Sequence, residues 1–216
     1  MSVVYIGIGS NLGNRKQNID RALEKLRSRK EIELTRVSSI IETDPVGDIS
    51  QPKFLNACCR IDTTLYPDEI LSALKSIERE MGRDRDSVPK KLSYEDQFKA
   101  LNEGKTIGRT LRDRNVNPQA KSDNKWVPRI IDLDILLYDD IIMKGNNLTI
   151  PHSLMHERFF VLKPLSGIAP DVVHPVLKKT IKDILSACPE FEELSAESSG
   201  QNKTCPQEGA AQNESN

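Results

Sequence analysis

The most restrictive feature of the chain is the order of its apolar periods, which run strand, helix, strand, strand, helix, strand over residues 3 to about 138. "VVYIGI" (3 to 8) is a short apolar strand, and "GSNLGN" separates it from a helix over about 15 to 29 with Ile19, Ala22, Leu23 and Leu26 on one face. A second strand is expected over 32 to 41 and a third at "FLNACCRIDTTL", with the turn-rich "ETDPVGDISQPK" between them. "YPDEILSALKSIEREMG" reads as a helix with Pro67 in its first position, Asp68 and Glu69 in its first turn and Gly82 as its stop. Its apolar face comprises Ile70, Leu71, Leu74, Ile77 and Met81. "RIIDLDILLYDD" (129 to 140) completes the order as a fourth strand. The expectation is an α+β fold: a ferredoxin-like split βαβ sandwich with an antiparallel sheet, helices on one side, and additional C-terminal elements. Those are a short apolar piece "IIM", a turn at "GNN", "LTIPH", a helical "ERFFVLKPL" ending near Pro164, and a helix over 180 to 187 capped by Thr180, with Asp183 in the capping-box position.

Such a fold hosts many functions, so function has to come from a site. The 216 residues suit one domain, expected over 1–188, with a polar insertion at 86–125 that is too long for an ordinary connection and a disordered acidic tail at 189–216. Net charge is −1, which offers no general field for nucleic acid. Between Arg83 and Arg129, however, twelve Lys and Arg stand against seven Asp and Glu. That local excess suits an anionic ligand. Cys58, Cys59, Cys188 and Cys205 form no CxxC pair, and the adjacent two would point to opposite faces of a strand, so reduced thiols are expected. With no signal-peptide pattern and no apolar run long enough to span a bilayer, a soluble cytoplasmic protein without membrane contacts is expected.

The sharpest chemical signal is the pair Asp132 and Asp134 inside an apolar strand. Side chains alternate along a strand, so both carboxylates share one face roughly 7 Å apart, while Ile131, Leu133, Ile135 and Leu137 take the other. Like charges so close disfavour joint ionisation unless a positive charge sits with them. An edge strand can show acids to water, but "RIIDLDILL" is too apolar for that. A divalent cation answers the conflict, and Mg²⁺ suits oxygen ligands in an open shell completed by water and phosphate.

Arg83, Arg85, Arg129, Arg158 and His152 could clamp phosphates, although any one of them could equally be a solvated surface charge. His152 and His156 stand at i, i+4 without the HExxH pattern, which disfavours zinc. "GIGSNLG" does not fit GxGxxG and reads as a structural turn. Phe54, Phe159 and Phe160 suit a core or a sandwich around a flat ring.

Taken in order, "GIGSNLG", "ETDPVG", "QPKFLNA", "IEREMGRDR", "WVPRIIDLDILLY" and "IPHSLMHERFFVLKPL" resemble the 6-hydroxymethyl-7,8-dihydropterin pyrophosphokinase family of folate biosynthesis, from residue 3 to about 187. "PRxxDLDIL" followed by "PHxxMxxRxFVLxPL" is the most specific part. The resemblance implies transfer of pyrophosphate from the co-substrate ATP to the hydroxymethyl group of the pterin, giving the pterin diphosphate and AMP, in a monomer or homodimer without nucleic-acid partners. It implies that Asp132 and Asp134 hold two Mg²⁺ ions and that Arg83 and Arg129, with the acid pair, form the catalytic set. It places Glu78, Arg85, Trp126, Arg129, Ile135, Thr149, His152 and Arg158 around ATP. It places Phe54 and Phe160 on the pterin faces, with Asn56, Thr43, Pro45 and Val46 at its edge. The family passes from the counterpart of Arg85 to that of Trp126 in a handful of residues, where forty stand here.

Two alternatives stand beside this reading. One is a catalytically idle homologue that binds a partner through 86–125, against which the intact acid pair speaks. The other is an RNA-binding ferredoxin-like domain, which lacks exposed RNP-type aromatics and a positive net charge.

Overall fold

The computed structural model describes residues 1–45, 51–82 and 129–189. The insertion expected at 86–125 and the tail beyond Pro189 lie outside these residues, as do Val46, Arg83, Arg85, Trp126 and Cys205.

The chain runs β1 (Ser2–Ser10), α1 (Arg15–Arg27), β2 (Ile32–Val37), β3 (Ile41–Thr43), β4 (Phe54–Thr63), α2 (Pro67–Glu80) and β5 (Asp132–Tyr138), followed by a small hairpin of β6 (Met143–Lys144) and β7 (Thr149–Ile150). A 3₁₀ turn (Met155–Glu157), α3 (Phe159–Ile168) and α4 (Ile181–Ser186) complete it. The main sheet has the order β2-β4-β1-β5, with β3 also pairing with β4, and every pairing is antiparallel. Strands β1 and β2 are therefore parallel with β4 between them, and β4 and β5 are parallel with β1 between them. The architecture is α+β.

Two apolar layers cover the sheet. Ile19, Ala22, Leu23 and Leu26 of α1, and Ile70, Leu74 and Ile77 of α2 with the adjoining Met81, pack on Val4, Ile6, Ile8, Cys59, Ile61, Leu133 and Ile135. Each such fully buried aliphatic side chain contributes about 1.5–3 kcal/mol. Leu162, Leu165 and Ile168 of α3, with Ile181, Ile184 and Leu185 of α4, cover the other face around Tyr5, Cys58 and Leu136. The helices thus occupy both faces, not one. The second layer comes from the C-terminal elements, and the cysteine pair is split between the two cores as strand alternation requires.

Local chemistry sets the helix ends. The Tyr66 N–H donates to Glu69 Oε2 at 2.8 Å ahead of Pro67, and Gly82 takes φ +95° past the end of α2, where a side chain would be strained. The expected Thr180 cap is present, its Oγ1 accepting from the Asp183 N–H at 3.1 Å.

Three further expectations are corrected. The strand expected over 32 to 41 breaks into β2 and β3, because the Ser38 hydroxyl accepts from the Cys58 N–H at 2.9 Å and stands in for a ladder bond. Leu137 lies on the α3 face instead of beside Ile135, because the β1–β5 register shifts between Tyr5 and Ile6, pairing Tyr5 with Leu137 and Ile6 with Ile135. The extra residue of that bulge reverses the alternation. Helix α3 does not end near Pro164 but runs through it to Ile168. Burial of Leu165 and Ile168 offsets the roughly 3 kcal/mol that an interior proline costs.

Candidate active site

A cavity of about 410 Å³ opens on the α3 face of the sheet. Its floor is set by the ladder: β1 pairs Gly9 with Asn56 of β4 and with Asp132 of β5, and pairs Gly7 with Cys58 and with Asp134. Gly9 keeps this floor open. A Cβ there would meet Asn56 Oδ1 at 3.3 Å and Phe54 Cδ1 at 3.9 Å.

Of the residues expected at the site, Thr43, Pro45, Phe54, Asn56, Arg129, Asp132, Asp134, His152, Arg158 and Phe160 all line the cavity. Five separate segments supply them, brought together by the sheet and by the first turn of α3. Asn56 is buried, and its Nδ2 donates to Thr43 Oγ1 at 2.8 Å, which fixes the amide plane at one end of the floor. The Arg158 guanidinium stacks 5.6 Å from the Phe160 ring centroid, a cation–π contact.

At the other end Arg129 pairs with Asp132, three residues on. Asp132 and Asp134 share the cavity face as the period-two reading required. Among the described residues no group of three or more His, Cys, Asp or Glu could enclose a metal. Two carboxylates at a cavity edge instead fit a hard cation that keeps several waters and takes its remaining oxygens from a phosphate.

His152 is held by its own backbone. Its N–H donates to Leu136 O at 2.9 Å, and its Nδ1 accepts from the Leu154 N–H at 3.3 Å, so the ring proton resides on Nε2. Burial holds this imidazole below the ordinary histidine range and Arg158 adds to that, while Asp134 and Asp132 oppose it. The ring is neutral at pH 7.

Three other expected residues lie off the cavity surface. Glu78 is 4 % exposed, and its Oε1 accepts from the Leu133 N–H at 2.8 Å, so it braces β5 from the helix side. Ile135 packs in the α1/α2 core, and Thr149 stands in β7. Sequence reasoning missed Gln51, Glu157 and Cys58, which also line the cavity. It missed the buried Ser10 and Asn11 as well, because "GSN" reads as a turn and polarity alone gives no sign of burial.

The family model for 7,8-dihydro-6-hydroxymethylpterin-pyrophosphokinase (HPPK) matches residues 5–95 and 96–170. The chain belongs to the HPPK family. The 2-amino-4-hydroxy-6-hydroxymethyldihydropteridine pyrophosphokinase of Aquifex aeolicus is 33 % identical over 183 residues, covering 85 % of this chain and 90 % of that protein. The enzyme of the same name from Bacillus subtilis is 34 % identical over 171 residues, covering 79 % of this chain and 80 % of that protein. The folic acid synthesis protein fol1 of Schizosaccharomyces pombe is 34 % identical over 187 residues, and there the chain spans only 20 % of the relative's length. In fold, the chain is similar to Plasmodium falciparum HPPK-DHPS solved with pteroate, at a TM-score of 0.56 and 15 % identity, covering 94 % of this chain and 44 % of that one. HPPK enzymes are ATP-dependent transferases of folate synthesis.

Proposed function

We propose that this chain transfers the terminal pyrophosphoryl group of ATP to the hydroxymethyl oxygen of 6-hydroxymethyl-7,8-dihydropterin, releasing AMP. The observation that carries the reading is that one cavity is lined both by Phe54, Asn56 and Phe160 and by Arg129, Asp132, Asp134, His152 and Arg158. In the reaction the pterin oxygen bonds to the β-phosphorus, the bond from that phosphorus to the α-phosphate oxygen breaks, AMP leaves with that oxygen, and the hydroxyl proton passes to solvent. Asp132 and Asp134 would hold two Mg²⁺ ions, which when bound screen the triphosphate, orient the nucleophile and lower its pKa.

The remaining work falls to positioning. Phe54 and Phe160 flank the pterin, and offset stacking adds about 1 kcal/mol beyond burial. Asn56, with Thr43, Pro45 and Val46, reads its polar edge. Arg158 leaves Phe160 for a phosphate when the ring is covered by substrate. His152 donates a hydrogen bond from Nε2–H to a phosphate oxygen, Arg129 contacts the triphosphate, and Arg83, Arg85 and Trp126, outside the described residues, complete the set of groups assigned to ATP. Glu78 acts by fixing β5, and Ile135 and Thr149 act through their backbones. Residues 1–188 form the catalytic domain, a split βαβ sandwich of the ferredoxin-like kind extended at its C-terminus, with 86–125 inserted and 189–216 appended. The unbridged, buried Cys58 and Cys59 accord with a cytoplasmic setting.

The test is AMP release with ATP, Mg²⁺ and the pterin, with pterin omitted as the control. Pterin-dependent AMP without ADP supports the reading. ADP as product, or no AMP while both substrates bind, overturns it.

A further inference from the structure

Asn11 makes three hydrogen bonds that join the two walls of the cavity. Its backbone N–H donates to Arg129 O at 3.1 Å, and its Oδ1 accepts from the Arg129 N–H at 2.6 Å. The pair closes a ring like that of two antiparallel strands, and it fixes the backbone of Arg129 three residues before Asp132. On the other side Asn11 Nδ2 donates to Gln51 Oε1 at 3.1 Å, and Gln51 lines the cavity on the segment leading to Phe54. The orientation of the amide is determined, since a backbone N–H can only donate and so must face Oδ1. The NH₂ group is thereby turned to Gln51, which must present its oxygen.

The neighbouring residue reinforces the same joint. Ser10 Oγ donates to Ile130 O at 2.6 Å and accepts from Asn18 Nδ2 at 3.3 Å. Asn11 is only 1 % exposed, so these bonds are shielded from solvent while the side chain is in place. Its hydrogen bonds thus run to Arg129, which pairs with Asp132, and to Gln51, on the segment leading to Phe54.

We propose that Asn11 is a positioning residue that sets the distance between the pterin wall, through Gln51, and the phosphate wall, through Arg129 and Asp132. The proposal rests on the pyrophosphokinase reading given above. It implies that catalysis is sensitive to Asn11 in two separable ways. Loss of the Gln51 bond loosens the pterin and raises its KM. Loss of the Arg129 bond misplaces the phosphate side and lowers kcat.

The experiment compares wild type, Asn11→Ala, Gln51→Ala and the double variant for KM, kcat and melting temperature, together with hydrogen exchange at the Arg129 amide. Asn11→Ala is expected to raise the pterin KM and to lower kcat by about 10- to 100-fold, the range that loss of a supporting contact produces. Gln51→Ala should raise the pterin KM with little change in kcat. The double variant should have the pterin KM of either single variant, because the two residues act as one link. Additive effects on KM, or an Asn11→Ala whose activity falls only in proportion to its folded fraction, would overturn the proposal. If Asn11→Ala does not fold, Asn11→Asp keeps the acceptor for Arg129 and should keep that amide protected. Loss of protection there would count against the Arg129 link. If wild type releases no AMP, the functional reading fails by itself. Arg129 exchange and pterin-binding titration of Gln51→Ala and Asn11→Ala then decide the link: faster exchange in Asn11→Ala with equally weakened binding in both variants supports it, and unchanged exchange or unchanged binding refutes it.

Discussion

Asn56 and Asp132 stand on either side of Gly9, each its direct partner in the ladder, so the residue expected at the pterin edge and the first metal-binding carboxylate are two strands apart. That separation is about 9.5 Å along the hydrogen-bonding direction. It leaves room for a bicyclic ring at one end and a transferring phosphorus at the other, provided that the middle position carries no side chain. Gly9→Ala is therefore expected to fold, because its Cβ meets Asn56 Oδ1 at 3.3 Å and needs only a small shift. It should still lower kcat/KM for the pterin by roughly tenfold, as a displaced positioning contact does. Steady-state kinetics beside a melting curve test this, and unchanged kcat/KM would show that the floor is not a contact surface for substrate.

Asp134→Ala removes one carboxylate of the pair and relieves its repulsion with Asp132. The fold should be retained, while AMP release falls by about 10²- to 10³-fold, the scale of losing a transition-state charge stabiliser. Calorimetric titration with Mg²⁺ in the presence of a non-hydrolysable ATP analogue should show weakened or lost metal uptake. Normal turnover in a folded Asp134→Ala protein would remove the acid pair from the mechanism.

The parts of the site that follow strand alternation were legible in the sequence. Asp132 and Asp134 share a face because nothing interrupts the period between them, and Cys58 and Cys59 divide between two cores for the same reason. Leu137 was misplaced because a bulge lies between Ile135 and Leu137, and a bulge leaves no mark in an apolar run. Glu78 was legible as a site residue only by resemblance, and its contact with Leu133 is with backbone, which carries no residue signature. Asn11 had no signal at all. Its partners lie 40 and 118 positions away, and a polar residue in a glycine-rich turn is ordinarily exposed.

Glu78 offers a test of support from below the site. Its Oε1 accepts from the buried N–H of Leu133, the residue between the two aspartates. Glu78→Ala would leave that N–H without this acceptor, at a cost of about 1–3 kcal/mol. Urea unfolding should show the loss, and turnover should fall further than stability alone accounts for, because β5 carries both carboxylates. Glu78→Gln retains an acceptor oxygen and should recover most of the stability. Equal behaviour of the two variants would mean that the Leu133 bond contributes little.

His174 links stability to pH. It is 3 % exposed, and its Nδ1 accepts from the Val176 and Leu177 N–H groups at 3.3 and 3.2 Å, so the fold needs the neutral ring. Burial lowers its pKa from the ordinary 6.5, and the nearby His156 lowers it further. A group whose folded pKa is depressed contributes stability that is fully present above the unfolded value and lost as pH falls through the folded value. Below about pH 6.5 the unfolded chain therefore takes up a proton that the native state resists, and unfolding free energy should decline with each step toward acid. His152 is depressed in the same direction, so the decline should be reduced in His174→Gln, not abolished. Urea midpoints at intervals from pH 8 to pH 5 measure both slopes. Identical slopes in wild type and His174→Gln would show that the ring at position 174 is not held neutral by the fold.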